Sequence, residues 1–557
     1  MKMKLYLRAI LVALFLSVYV KSNAQTPSWL WAKSAGGTSS EGGLSIATDA
    51  VDNIYVTGVF QSASITFGST TLTNAGSNDI FVVKYDVAGN VVWAYGGGGA
   101  GVDYGYGIST DINRNVYVAG IFTSTITFGS TTLTTAGASD IFIAKFDSSG
   151  NVLWAEQAGG TNFDYCYKIT ADANGNTYIS GHFSSDTISF GNITLINSTF
   201  DNMFLAKYDS SGNAIWARSD GSDSFAGIRA DNAGNIYLSG SFYNSTITFG
   251  STVLTNADAS GNTADLFIVK YDTAGNVIWA KEAGGTDDEG ASSIDLDGNS
   301  NICITGYFTS SNLAFGSTIL NCGSAYGDIF IAKYDSAGNP LWANQAGGTY
   351  NQQGTGIGTD GNNNVYVTGK FQSATCSFGS ITLTNAGGAG GEEDVFVAKY
   401  DAAGNILWAM GAGGVLQDVS WDICTNAIGN AFITGYFWST SISFGGTTLS
   451  NAGTGFSGDI FVAKLDYATD RIELSNYNDE VRIFPTPANN YFTIALGSIN
   501  KKVKVLITDV TGKIIYTTTA TEAHQIQVNI KDFTEGIYTV QIQSADFIET
   551  KKLIVEK

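Results

Sequence analysis

Proline occurs four times and histidine twice in this chain of 557 residues, and basic residues are outnumbered by acidic ones, 28 to 49. Each scarcity excludes something. Two histidines, His182 and His524, with no metal-type cysteine spacing leave no recognisable zinc constellation. No phosphate loop, nucleophile elbow or HExxH text is present. A formal charge of −21 argues against a nucleic-acid partner, because phosphates demand lysine and arginine. The charges beyond residue 470 nearly cancel, so the acidity belongs to the larger, preceding part. Five cysteines cannot all pair with one another, and each stands where neighbouring text holds a small or apolar residue, as buried thiols do.

Long apolar runs are missing too. The longest, over residues 9–20, is short of the roughly 20 residues a membrane span needs. It follows Lys2, Lys4 and Arg8 and precedes Ser22-Asn23-Ala24, the parts of a cleaved secretory signal over 1–24. Helical periodicity is otherwise absent. What fills the chain is Phe, Tyr, Thr, Val and Ile in short runs between Gly, Asn and Asp, which predicts an all-β protein.

The runs repeat. NIYVTGVF, NVYVAGIF, NTYISGHF, NIYLSGSF, NICITGYF, NVYVTGKF and NAFITGYF recur at a period of roughly 62 residues. A DIFVVKYD-like block recurs in step, with lysines at Lys84, Lys145, Lys207, Lys270, Lys333, Lys399 and Lys464. An FGS-like element lies between the two. Each of the seven copies predicts four strands: a short first strand, the NIYVTG block, the DIFVVKYD block, and a Trp-Ala strand. Asp-x-x-Gly-Asn between strands three and four is a hairpin signal, since Asp starts a type I turn and Gly supplies the left-handed residue. The central strands are apolar on both faces, so sheets should cover them on both sides. Before the first copy stands an unmatched fourth strand, Trp29-Leu30-Trp31-Ala32, and the seventh copy lacks one after Asp466. The expected fold is therefore a seven-bladed β-propeller over 25–466, closed by its N-terminal strand, with no exposed sheet edge.

The text GNxYVTGxF and DxFVAKYDxxGNxLWA, for instance at 364–371 and 394–409, resembles the bacterial SBBP repeat family over roughly residues 29–466. That resemblance implies the propeller and little about activity. After a polar linker at 467–480, residues 481–557 read as a small C-terminal β-sandwich. Phe484-Pro485-Thr486-Pro487-Ala488-Asn489, Ile507–Gly512-Lys513, Gly536-Ile537-Tyr538 and the closing Lys551-Lys552-Leu553-Ile554-Val555 resemble the C-terminal sorting domain of type IX secretion cargo in Bacteroidota. The resemblance implies recognition by outer-membrane secretion machinery and a secreted or surface-attached protein with no transmembrane span once the signal is removed.

Groups present in all seven copies are read as scaffold, which retires the turn aspartates, the tryptophans and the lysines, the last expected to snorkel. Two sets of residues carry the functional reading. Acids five residues before the first-strand isoleucine, Glu41, Asp103, Asp164, Asp223, Glu289 and Asp418, with Gln352 in the sixth copy, either cap their own loops or line a mouth for a cation or polar ligand. Two residues before the same isoleucine, Tyr106, Tyr167 and Trp421 break the symmetry and offer a stacking surface for a glycan or peptide. The text Asp295-Leu296-Asp297-Gly298-Asn299 lacks the acidic closing ligand of a calcium loop and reads as a turn. No cofactor is expected, although calcium is compatible. The expected function is a binding module for a protein or carbohydrate. The alternative is a carboxylate-based polysaccharide hydrolase or lyase.

Overall fold

The structure, a computed structural model, describes residues 27–466 apart from 198–200, 222–223, 259–260, 325, 389–390 and 454. It also describes 482–556 apart from 485–487, 489, 496–501, 511, 521–524 and 545–547. The expected signal, the linker, Asp223 and His524 lie outside the described residues. The chain divides into two compact units, Met1–Ala468 and Thr469–Lys557.

In the first unit each repeat folds as an antiparallel sheet. The first comprises Glu41–Thr48, Ile54–Phe60, Asp79–Tyr85 and Val91–Gly97, paired in that order. Its two middle strands are buried at every residue, as expected of strands covered on both faces, while the fourth is half wet. The sequence reading gave the FGS element no strands. It forms a two-stranded hairpin in every repeat, such as Ser64–Phe67 with Thr70–Thr73, whose Ile65, Phe67 and Leu72 roof the core. In two places this hairpin joins the fourth strand of the preceding repeat, giving six-stranded sheets. Every sheet among the described residues is an open ribbon; none returns on itself.

The turns form for local reasons. Asp86 accepts hydrogen bonds from the backbone of Ala88 and Asn90 and from the Asn90 side chain. Gly89 then takes φ +80°, and a Cβ there would come within 2.9 Å of Trp31. At the other hairpin Asp49 binds Asn53 and accepts from the Tyr55 hydroxyl at 2.9 Å. Asp297, from the calcium-like text, makes the same turn with Asn301.

Tyr55, Lys84 and Trp93 stand side by side on strands two, three and four. Five of the seven lysines do not snorkel. Lys84, Lys145, Lys333, Lys399 and Lys464 are buried, because each finds partners inside. Lys84 lies 5.2 Å from the centre of the Tyr55 ring, and its ammonium donates to the Ser148 carbonyl in the next repeat's turn. The Trp93 indole donates to the same carbonyl. Lys145 and Trp154 share Ser210 O, and Lys207 and Trp216 share Thr273 O. Each of the first three repeats is thus stapled to its successor.

The N-terminal strand Ser28–Ala35 pairs antiparallel with Asp459–Asp466. Trp31 stands opposite Lys464, which stands opposite Phe432, the same row as in the other repeats. Trp31 Nε1 and Lys464 Nζ both reach Val87 O, in the turn of the first repeat.

In the second unit two sheets enclose Phe492, Val505, Ile507, Val528, Val540, Ile542 and Leu553. One sheet holds Arg482–Phe484, Tyr491–Ala495 and Gln525–Asn529. The other orders Ile514–Ala520, Val503–Asp509, Gly536–Gln543 and Ile548–Val555. On the last strand Lys552 is exposed while Leu553 and Val555 are buried.

Candidate functional site

The acids singled out by spacing do not present free carboxylates. Glu41, Asp103, Asp164, Glu289 and Asp418 are buried and hold their own loops. Asp103 accepts from Gly99 N at 2.9 Å and Thr123 N at 3.2 Å; Asp418 accepts from Gly414 N, Ser439 N and Ser439 Oγ. Gln352 donates to Ser373. This is the loop-capping arrangement rather than a ligand-binding mouth.

Each has a second acid beside it at the start of the preceding repeat's third strand. Asp79 faces Asp103, Asp140 faces Asp164, Asp265 faces Glu289, Asp394 faces Asp418, and Asp459 faces Glu41. In the sixth repeat Gln352 replaces the first member, while Asp328 keeps the second. The second acid sits on a glycine: a Cβ on Gly98 would come within 2.2 Å of Asp79, which explains the recurring Ala-Gly-Gly text. Burial pushes the Glu289 carboxyl up to about 8, those of Asp103 and Asp394 to about 7, and those of Asp164, Asp265 and Asp418 to about 6. Oδ1 of Asp79, Asp140, Asp265, Asp394 and Asp459 has no hydrogen-bond partner. Asp328, opposite Gln352, has the same unpartnered Oδ1, and a proton on one carboxyl of an acid pair would supply such a donor.

Tyr106, Tyr167 and Trp421 occupy a β-bulge that interrupts the first strand of every repeat. A bulge re-aims its side chain out of the regular alternation. Tyr106 and Tyr167 meet edge to face at 5.4 Å, and Tyr104 and Tyr165 stack on their outer sides. Phe163 and His182 extend the cluster. The rings are half-exposed and Phe163 is exposed, so they form one continuous aromatic face across the second and third repeats. Trp421 belongs to a different group, with Tyr436, Trp438 and the exposed Phe456. Spacing alone had grouped the three; the structure joins two.

The sequence reading missed a cavity of ≈ 340 Å³ bounded by the first strands of all seven repeats. Lys168, Arg229, Asp295 and Asp422 line it. All stand directly before or after the first-strand isoleucine, where other repeats carry Ser, Thr, Gly, Ala or Cys. A single-copy charge in such a column was the available signal. Cys424 also lines the cavity and is half-buried, whereas Cys166, Cys303, Cys322 and Cys376 are buried as expected; none of the five is in a disulfide.

Residues 482–556 match the family described as the secretion system C-terminal sorting domain. The chain is thus exported by type IX secretion, and it joins this tail to an all-β region of repeated sheets. Over 513 residues it is 26% identical to an uncharacterized WD repeat-containing protein, L264, of Acanthamoeba polyphaga mimivirus, covering 74% of this chain and 36% of that one. Over 184 residues it is 26% identical to the regulatory protein FlaEY of Caulobacter vibrioides, covering 33% and 19%. The chain therefore spans about a third and about a fifth of these relatives' lengths. Among solved structures, the C-terminal WD40 domain of Sif2 aligns at TM-score 0.37 and 6% identity, over 78% of this chain and 98% of that one. YCF48 bound to D1 peptide aligns at 0.35 and 8%, over 80% and 98%. Scores this low bear on neither chemistry nor ligand.

Proposed function

We propose that the mature protein is an extracellular or surface-held interaction module, a seven-bladed propeller of SBBP type that binds a protein or carbohydrate through its aromatic face. Support for the ring comes from the contacts between its first and last repeats. Trp31 and Lys464 meet Val87 as Trp93 and Lys84 meet Ser148. The Ser45 hydroxyl also donates to Asp422 at 2.8 Å, and the Thr48 hydroxyl to Thr425 O at 3.3 Å.

The observation that carries the binding reading is the contiguous aromatic run Tyr104, Tyr106, Tyr167, Tyr165 on two adjacent repeats. Half-exposed rings with polar tips supply large contact area at small entropic cost. A carboxylate-based hydrolase is disfavoured, since the paired acids are buried and already hold loop N–H groups. The test is retention of the mature chain on a panel of immobilised polysaccharides and on surface-protein arrays. Tyr106→Ala with Tyr167→Ala should abolish retention without shifting the thermal midpoint by more than a few degrees. Retention unchanged in the double variant refutes the aromatic face as the site. Release of reducing ends from a retained polysaccharide refutes the non-enzymatic reading.

A further inference from the structure

The central cavity holds the charges that the repeat does not explain. Three of its four charged side chains are engaged. Arg229 Nε donates to Asp295 Oδ1 at 2.8 Å, and Asp295 Oδ2 accepts from the Thr359 hydroxyl. Asp422 Oδ2 accepts from Ser45 Oγ at 2.8 Å and Ile46 N at 3.1 Å, and Oδ1 from Ile423 N. Lys168 is different: among the described residues its ammonium has neither an ion pair nor a hydrogen bond. Surroundings that remove water from it push its pKa down, with Asp422 working against the shift and Arg229 adding to it.

An ammonium held in a cavity without a direct hydrogen-bonding partner costs free energy. Six other repeats show that the position does not require one: it is Ser45, Gly107, Gly227, Ser293, Gly356 and Asp422 there. Asp295 already pairs with Arg229, and both Asp422 oxygens already accept hydrogen bonds. An anion would find Lys168 unpartnered, with the Arg229 guanidinium near enough to lower the Lys168 pKa. The volume of ≈ 340 Å³ lies at the lower end of small-molecule pockets.

We propose that the central cavity binds one small anion, a carboxylate or phosphate, through the Lys168 ammonium, with Arg229 adding positive charge to the same wall. This site is independent of the aromatic face and takes a different class of ligand.

The test is calorimetric titration of the mature full chain with two probes, inorganic phosphate and glucuronate. One saturable site per chain is expected for at least one probe, and which one identifies the anionic group. Lys168→Met should weaken that binding by about tenfold or more, Lys168→Arg should retain it, and Lys33→Met, at an exposed position, should leave it unchanged. Saturable binding that survives Lys168→Met, or no saturable binding of either probe, overturns the proposal. If Lys168→Met does not fold, the native chain decides. A bound anion should slow modification of Cys424, which lines the same cavity, by a small thiol reagent; an unchanged rate in saturating probe counts against the site.

Discussion

Substituting Glu289→Gln tests whether the buried acid pairs share protons. Glu289 accepts from Gly285 N at 3.0 Å, contacts Ser310 and faces Asp265, with Glu282 and Asp288 nearby. Burial raises its carboxyl from 4.5 to about 8. The folded chain therefore holds this proton more tightly than the unfolded chain. The resulting stabilisation is complete below pH 4.5 and is lost as pH rises towards 8. At about 1.4 kcal/mol per unit, the swing is at most about 5 kcal/mol. Gln carries no such proton and fits the place, since Gln352 occupies it in the sixth repeat. In guanidinium unfolding of the mature chain, wild type and variant should agree within about 0.5 kcal/mol at pH 4. At pH 8.5 the variant should be the more stable by several kcal/mol. A wild-type-to-variant difference that does not change between those pH values refutes the shared proton.

Lys333→Met leaves the buried Asp297 without the ammonium 2.8 Å away. Unfolding should show a loss of about 3–5 kcal/mol, partly restored by adding Asp297→Asn. Gly89→Ala places a Cβ at φ +80° within 2.9 Å of Trp31 and should cost about 2 kcal/mol by the same measurement. Gly446→Ala, whose Cβ would meet nothing within 4 Å, should change stability by less than about 0.5 kcal/mol.

Much of the repeat architecture was legible in the text because its signals are local. Asp-x-x-Gly-Asn contains its own turn chemistry, and Asp86 with Gly89 realises it without help from elsewhere. The unmatched Trp29–Ala32 segment was legible through absence: one strand too many at one end, one too few at the other. The lysine staple was not legible, because its acceptor is a backbone carbonyl roughly 62 residues ahead and carbonyls leave no mark in sequence. The acid pairs were half legible. Glu41, Asp103 and their counterparts stood out by spacing, but Asp79 and its counterparts looked like strand starts until packing set them against the next repeat. Tyr106 and Tyr167 were visible as departures from symmetry. Trp421 was grouped with them because one-dimensional alignment ignores the repeat that stands between. Lys168 and Arg229 were visible in the columns that flank the same isoleucine and were passed over because attention rested on acids and rings.

The account stands on the first and last repeats being neighbours through the N-terminal strand. Ser28 lies opposite Asp466 across that pairing, so Ser28→Cys with Asp466→Cys should form an intramolecular disulfide under mild oxidation. Peptide mapping of the oxidised, monomeric chain should recover the two segments joined, and reduction should lower the unfolding midpoint. Both thiols remaining free in a folded monomer, or cross-links only between chains, would contradict it.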